Sequence, residues 1–288
     1  MPFPVDWVDA FSDRPFGGNG CAVVHGGASL DDDTCKAFVR ETSLVECTFT
    51  GPSDIADFRV RYFEVAHEIP FAGHPTVATV AALRHRGLID DRVTLETGAG
   101  LVPVTVAQDG TITMTQVAPR FGAFADPALV AAAISVPADA FIVPPRVVST
   151  GLPFVITVLD SKAAVDAAVL NLQALDVLAR SLGGTVNQME PFVVAREGAT
   201  ARGDTYARLF LAPPSPPEDP FTGSATGAMA AYLWSTGLME KPVFMAEQGH
   251  GMGRPGWARV ERVGPPEAMT GVRVGGQAFV LMSGDLHL

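Results

Sequence analysis

Two short segments of the sequence share a spacing that could bind a small carboxylate. Residues 68–76 read EIPFAGHPT and residues 218–226 read EDPFTGSAT, and each runs into an alanine-rich stretch that predicts a helix. Glycine at a helix start lets a ligand approach the backbone, and the free N–H groups of the first turn favour an anion. The two glycines, Gly73 and Gly223, are 150 residues apart, about half the chain. If the two helix starts face each other, they form a carboxylate-binding cleft between two similar lobes.

Three side chains near these segments could take part in acid–base chemistry or binding. Glu46 lies in the apolar, strand-like stretch SLVECTF, where partial desolvation raises a carboxyl pKa toward the working pH. His74 is held at a helix start, where the helix dipole favours the neutral ring and the ring can bond a substrate. Ser224 follows Gly223 and would add its hydroxyl to the N–H groups of Gly73, Gly223 and Ser224 around a carboxylate. Each also has a plainer interpretation: a surface glutamate, a helix-capping histidine and a helix-start serine.

Composition excludes several classes of protein. The chain has 288 residues and a net charge of −11, which argues against nucleic acid and anionic membranes as partners. There is no run of 18 apolar residues and no signal-peptide pattern, so we expect a cytoplasmic protein with no membrane span. Cys21, Cys35 and Cys47 show no CxxC spacing, and the six histidines do not cluster at ligand spacings. We therefore expect no disulfide framework, no metal and no nucleotide cofactor.

The elements that must position these residues fall into two similar halves. Strand-like segments with one long helix in each half predict an α+β protein with an N-terminal lobe at 1–120 and a C-terminal lobe at 147–288. Between them, residues 121–146 are rich in Pro and Ala and are interpreted as a linker, with Asp126 capping a short helix. The last strand of the C-terminal lobe could cross back to the first lobe.

The sequence resembles the PhzF-like phenazine-biosynthesis family, from about residue 6 to residue 282. Six motifs in order carry the resemblance: DAF at 9–11, FGGN at 16–19, ECTF at 46–49, FAGHPT at 71–76, EDPFTGS at 218–224 and QGHGMGRP at 248–255. The resemblance implies the diaminopimelate-epimerase-like fold, with two similar lobes that each wrap a mixed β-sheet around a central helix. It also implies an active site between the lobes, action without cofactor or metal, and a homodimer.

The resemblance further implies a cofactor-independent isomerase that moves a proton on a small carboxylic acid. The phenazine enzyme of the family isomerises trans-2,3-dihydro-3-hydroxyanthranilate, and Glu46 matches its acid–base carboxylate. Asp219 matches a residue that orients a polar group of the substrate, although an Asp before Pro220 is also typical of a turn. The implied catalytic residues are thus Glu46, His74 and Asp219.

The sequence departs from its distant relatives at the two helix starts. Diaminopimelate epimerase and proline racemase use one cysteine at each start, whereas this chain has Ala72 and Thr222. Because a thiolate is the reactive base in that chemistry, two-thiol epimerisation is not expected. Gly20 and Gly256 replace the usual Pro and Ser at turn positions of the motifs. Two alternatives stay open: an epimerase or lyase of another small acid, and a non-catalytic protein that binds small acids.

Overall fold

Each half of the chain contains one 13-residue helix that begins at a glycine. A computed structural model describes residues 2–288, and in it these helices are α2 (Gly73–His85) and α6 (Gly223–Ser235). Almost every residue of α6, and ten of the thirteen in α2, are buried. A helix that is buried on all sides must pack against other elements around its whole circumference. The alanine-rich sequences fit this position because small side chains allow close packing.

The elements of the first part of the chain follow in order. They are β1 (Phe3–Ala10), β2 (Asn19–Val24), α1 (Asp32–Thr42), β3 (Cys47–Gly51), β4 (Phe58–Phe63), β5 (Glu68–Ile69), α2, β6 (Arg92–Thr97), β7 (Gly100–Val106) and β8 (Ile112–Gln116). A short 3₁₀ turn spans Gly27–Ser29.

The remaining elements complete the chain. They are β9 (Arg120–Phe124), α3 (Pro127–Ile134), β10 (Arg146–Ser149), β11 (Pro153–Leu159), α4 (Lys162–Ala167), α5 (Leu172–Ser181), β12 (Pro191–Ala195), β13 (Thr205–Phe210), β14 (Glu218–Asp219), α6, β15 (Val243–Gln248), β16 (Gly256–Val263), β17 (Gly271–Gly276) and β18 (Ala278–Leu286). Further 3₁₀ turns span Ala138–Ala140, His250–Met252 and Pro266–Ala268.

The chain divides into two compact units. One holds the described residues up to Thr115 together with Gly275–Leu288, and the other holds Gln116–Val274. The segment interpreted as a linker, 121–146, lies within the second unit. Helix α3 there buries Val130 and Ile134 in the same apolar core as helix α5. The last strand, β18, pairs antiparallel with β1 in the first unit.

The two units pair their strands in the same sequence of directions. In the first unit, β18 pairs antiparallel with β1, and β1 pairs antiparallel with β2. Strand β3 lies parallel to β2, and β4 lies antiparallel to β3. Strand β4 also pairs with the short antiparallel β5 and with the parallel β6, and β6 pairs antiparallel with β7. In the second, β9 to β13 follow the same rule, and β14, β15 and β16 take the places of β5, β6 and β7. This repeat of mixed sheet and long helix confirms the predicted α+β class with two similar lobes.

A repeated ion pair fixes the strand that precedes each long helix. Arg61 on β4 forms two hydrogen bonds to Glu68 on β5, at 3.0 and 2.7 Å. Arg208 on β13 forms two to Glu218 on β14, at 3.0 and 2.8 Å. Both guanidinium groups also donate to backbone carbonyls and stack on a phenylalanine two residues later. The acidic residue that opens each helix-start segment therefore has a structural role in both units.

Three element boundaries differ from the sequence expectation. The apolar stretch after residues 68–76 predicts a helix that begins near Thr76. Helix α2 begins three residues earlier, at Gly73, because the first-turn N–H groups need no helical acceptor and Pro75 is tolerated there. The sequence pattern of residues 272–282 predicts one strand, but the structure has two there, β17 and β18, interrupted at Gln277. Residues 120–124 form β9, which pairs with β10 instead of running through a linker.

Candidate active site

In the first unit, Glu46 and His74 lie side by side. Glu46 directly precedes β3, and His74 is the second residue of α2. The Oε2 atom of Glu46 is 3.5 Å from Nδ1 of His74, and the two side chains are 14 % and 4 % exposed. A carboxyl group that is largely removed from water yet reachable from outside can both accept and return a proton. The geometry of this pair is compatible with acid–base chemistry.

The start of helix α2 is held from inside the first unit. The Thr76 hydroxyl donates to the Ala72 carbonyl at 2.7 Å, and the Tyr62 hydroxyl is hydrogen-bonded to that of Thr76 at 2.7 Å. Burial raises the pKa of Tyr62 well above its ordinary value, so its hydroxyl stays protonated. Fixing the carbonyl before the first turn also fixes the N–H groups of Gly73 and His74.

In the second unit, Asp219 is held by the residue that opens helix α6. The Thr222 hydroxyl donates to Oδ2 of Asp219 at 2.5 Å. Gln248, at the end of β15, accepts from the Thr222 backbone N–H at 3.1 Å and donates to the Asp219 carbonyl at 2.7 Å. Asp219 is 4 % exposed and Gln248 is 1 % exposed. The Asp219 carboxylate therefore has one fixed orientation.

Residues far away in sequence hold the first carbonyls of α6. Gln116 donates from Nε2 to the Gly223 carbonyl at 2.8 Å and accepts at Oε1 from the Thr150 hydroxyl at 2.6 Å. The Gln116 side chain fills the space beside Gly227, where an added Cβ would lie 1.7 Å from its Oε1. Ser224 is 7 % exposed in this first turn. The backbone at the start of each long helix is therefore fixed by side-chain hydrogen bonds.

The six residues predicted for the site fall into two groups. Glu46, Gly73 and His74 lie together in the first unit, and Asp219, Gly223 and Ser224 lie together in the second. Their joint use by one substrate stays a prediction, as does the role of each residue. Sequence reasoning missed four neighbours of these residues. They are Asn19, Gln116, Thr222 and Gln248, and only the FGGN, EDPFTGS and QG motifs gave any signal for them.

None of the three cysteines is a residue of either helix start. Cys21 is in β2, Cys35 in α1 and Cys47 in β3, and all three are buried with free thiols. Burial raises the pKa of Cys21 well above its ordinary value, that of Cys35 to about 11 and that of Cys47 to about 12. These thiols stay protonated at neutral pH and do not supply a thiolate base.

Among residues 2–288, no group of three or more His, Cys, Asp or Glu side chains could hold a metal ion. No helix formed by these described residues is long and apolar enough to cross a membrane.

The chain matches a family model over most of its length. The model, described as phenazine biosynthesis-like protein, matches residues 8–284. An uncharacterized isomerase of Bacillus subtilis, YfhB, is 33 % identical over 88 % of each chain. The trans-2,3-dihydro-3-hydroxyanthranilate isomerase of Pseudomonas aeruginosa is 31 % identical over 98 % of each chain.

Solved structures show the same fold. A phenazine biosynthesis protein of the PhzF family from Bacillus anthracis has a TM-score of 0.88 and 25 % identity, with both chains covered completely. A probable proline racemase from Agrobacterium radiobacter has a TM-score of 0.68 at 16 % identity, covering 99 % of this chain and 93 % of that one, which shows the fold alone.

The chain therefore belongs to the PhzF-like family of phenazine biosynthesis-like proteins, with the fold shared by diaminopimelate-epimerase-like enzymes. Relatives at about 30 % identity are named as isomerases, which supports an isomerase here.

Proposed function

We propose that this protein is an isomerase that moves a proton on a small carboxylic acid, with Glu46 as the acid–base group. One observation carries the proposal: the largely buried Glu46 carboxyl lies 3.5 Å from His74 Nδ1 at the start of a fixed helix. The relatives named as isomerases support the reaction class. Trans-2,3-dihydro-3-hydroxyanthranilate is the first substrate to test, because a relative that aligns over 98 % of this chain is named for it.

In the proposed reaction, the Glu46 carboxylate accepts a proton from a carbon next to the conjugated system of the substrate. The electron pair left on that carbon spreads over the conjugated system, and the protonated Glu46 returns the proton to another carbon. One proton leaves and one is returned, so the reaction needs no redox cofactor. The N–H groups of Gly73 and Gly223 and the Ser224 hydroxyl are proposed to bind the substrate carboxylate, with Asp219 orienting a second polar group.

The alternative of a two-thiol epimerase is disfavoured by particular residues. Ala72 has no acid–base group, and the hydroxyl of Thr222 already donates to Asp219. The buried cysteines lie on other elements and stay protonated at neutral pH. A non-catalytic binding protein would not need a carboxyl group placed like that of Glu46, so we favour turnover over binding alone.

The direct test is conversion of trans-2,3-dihydro-3-hydroxyanthranilate by the purified protein, followed by absorbance and by NMR of the product. We expect Glu46→Gln to lower turnover by a factor of about 100 or more, because the amide keeps the shape but cannot exchange the proton. Glu41→Gln, at an exposed position of α1, is the matched control and should behave like the parent. Turnover of Glu46→Gln within a few-fold of the parent would reject Glu46 as the acid–base group.

If the parent does not convert this compound, a thermal-shift screen of cyclic and acyclic amino and hydroxy acids separates the remaining alternatives. A true ligand at 100 times its dissociation constant should stabilise the fold by about 2.7 kcal/mol. Binding without turnover by any stabilising acid would support the non-catalytic alternative. The homodimer implied by the family is a separate proposal, tested by light scattering of the eluted protein.

A further inference from the structure

His74 Nδ1 lies against two different side chains at once. The Nδ2 atom of Asn19 is 3.0 Å from Nδ1, in a fully buried contact, and Oε2 of Glu46 is 3.5 Å from the same nitrogen. Asn19 is 1 % exposed, at the first position of β2. A ring nitrogen has a single hydrogen-bonding direction in the plane of the ring. The two neighbours therefore compete for one position.

The chemistry of the amide decides this competition. An amide NH₂ group only donates, and a neutral imidazole nitrogen accepts only when it carries no proton. The contact between Asn19 Nδ2 and His74 Nδ1 thus requires Nδ1 to be the acceptor and Nε2 to carry the proton. We propose that Asn19 is a positioning residue that holds His74 in its neutral Nε2–H form. This inference rests on the proposed function only for its consequence for turnover.

The consequence concerns what Glu46 can do. With the proton on Nδ1, His74 would donate to the Glu46 carboxylate and hold it in an ion pair, which weakens it as a base. With Nδ1 as an acceptor occupied by Asn19, an ionised Glu46 has no donor on the histidine. The ring therefore does not prevent the Glu46 carboxylate from accepting the substrate proton, and it does not take that proton from Glu46 afterwards. The proton passes from substrate carbon to Glu46 and back, without passing through His74.

The backbone of the first unit fixes the position of Asn19. Asn19 pairs with Ala10 in the ladder of β1 and β2. Before it, Gly18 has φ +52°, and a Cβ there would lie 2.0 Å from the Ala10 carbonyl oxygen, so only glycine fits. Phe16, also at positive φ, donates its N–H to the Asp9 carboxylate at 2.7 Å. The turn that leads into Asn19 is therefore held by the close approach of Gly18 to Ala10 and by the hydrogen bond from Phe16 to Asp9.

The charged and titratable groups around α2 do not override this arrangement. The strands that pack on α2 are β1, β2, β3 and β18. The titratable residues of these strands are Asp6, Asp9, Cys21, Cys47 and Asp285. Glu46 and Tyr62 lie next to the Asn19–His74 pair. The thiols and the phenol are neutral, Asp6 is bound by Arg86, and Asp285 is exposed. The Asp9 carboxylate accepts from a backbone N–H. Glu46 is an acid in direct contact with His74 Nδ1.

The tautomer can be measured without any substrate. Histidine labelled with ¹⁵N gives different nitrogen shifts for protonated and unprotonated ring positions, and the His74 signals are assigned as those missing from His74→Gln. In the parent we expect Nδ1 to be unprotonated and Nε2 protonated from pH 6 to 8. A parent protein with the proton on Nδ1, or with both nitrogens protonated in this range, overturns the proposal at once.

Variants of Asn19 test whether Asn19 determines the tautomer of His74. Asn19→Asp replaces the donor by an acceptor, so we expect the His74 proton to move to Nδ1 and the ring to titrate at higher pH. Asn187→Asp, at an exposed position, is the matched control and should leave the His74 signals unchanged. If Asn19→Asp does not fold, Asn19→Ser is used, and a loss of the single-tautomer pattern is then expected. An unchanged His74 spectrum in a folded Asn19 variant overturns the proposal.

Turnover gives the second readout. If the Glu46 reaction occurs, Asn19→Asp should lower kcat by about tenfold or more with a smaller change in KM, and should shift the pH profile of kcat. A purely structural role of Asn19 would lower the amount of folded protein and leave that profile in place. Because the tautomer is read without turnover, a failure of the isomerase proposal through Glu46→Gln is distinguishable from a failure of this inference.

Discussion

The Thr222 hydroxyl donates to the Asp219 carboxylate at 2.5 Å, at the helix start where a two-cysteine epimerase would have a thiol. The same hydroxyl lies 3.2 Å from Gln248 Nε2, which itself bonds the Asp219 carbonyl. A hydroxyl at this position thus binds the Asp219 carboxylate in this chain.

Because of this hydrogen bond, substitution of Thr222 should change both the turnover and the stability of the protein. We expect Thr222→Val to lower turnover about tenfold and the free energy of unfolding by about 1–3 kcal/mol, since a buried carboxylate loses a donor. Thr222→Ser keeps the hydroxyl and should stay close to the parent in both measurements. Steady-state kinetics and urea unfolding of the two variants make the comparison. A loss in the Ser variant with none in the Val variant would show that the methyl group, not the hydroxyl, matters.

Local signals made part of the fold predictable from sequence. Asp126 caps α3 by accepting from the Ala128 N–H at 2.8 Å. The pair Asp109-Gly110 between two alternating segments predicts a hairpin turn, and it joins β7 to β8. These features depend on neighbours within a few residues. The similarity of the two helix-start segments was predictable because the motif itself repeats.

Contacts between distant residues were not predictable in the same way. Asn19 meets His74 across 55 residues, and Gln116 meets Gly223 across 107. No spacing rule connects them, because register and packing of several strands decide which side chains meet. Residues 121–146 were misleading for a similar reason. Their Pro and Ala content is typical of linkers. In the structure, however, their strand β9 pairs with β10, and their helix α3 packs in the same core as α5.

The state of the cysteines predicts resistance to alkylation. Burial raises the pKa of Cys21, Cys35 and Cys47, so the thiolate that attacks iodoacetamide is scarce at pH 7.5. We expect activity to be unchanged after treatment of the folded protein, and all three residues to react once it is unfolded in urea. Mass spectrometry of the peptides locates the modification. Activity loss that follows modification of Cys21 or Cys35 would contradict the proposed mechanism, whereas modification of Cys47, beside Glu46, would indicate blocking of the site.

A buried ion cluster predicts loss of stability in acid. Asp6 is fully buried and accepts from Arg86 at 2.6 and 2.9 Å, from Ser283 at 2.6 Å and from His25 at 2.8 Å. Burial alone would raise the pKa of Asp6, but these hydrogen bonds outweigh it and the pKa is lowered. Burial lowers the pKa of His25, against the bond to Asp6.

Both shifts have the same sign for stability. Each group binds fewer protons folded than unfolded, so the free energy of unfolding falls as pH decreases. The loss begins below the ordinary histidine pKa of about 6.5 and continues below the ordinary aspartate pKa of about 3.9. We expect Asp6→Asn to cost about 2–4 kcal/mol at pH 7, since Arg86 and His25 lose a buried charged partner. Asp285→Asn, at an exposed position of β18, is the control. Urea unfolding from pH 7 to 4 gives the slope of the free energy of unfolding against pH. A His25→Gln variant with an unchanged slope between pH 7 and 5 would refute the contribution of His25.

The last prediction concerns how the substrate carboxylate is bound. If the backbone N–H groups at the start of α6 take part, Gly223→Val places a branched side chain where the ligand must approach, and affinity should fall far more than stability. Ser224→Ala should weaken binding by about 1 kcal/mol, somewhat more if the lost bond is to a charged oxygen. Ser235→Ala, at the exposed end of the same helix, is the matched control. Calorimetric titration with anthranilate as the probe measures affinity, and thermal unfolding measures stability. A crystal soaked with anthranilate locates the carboxylate directly, and a carboxylate bound only by Arg254, away from Gly223 and Ser224, would contradict the proposed site.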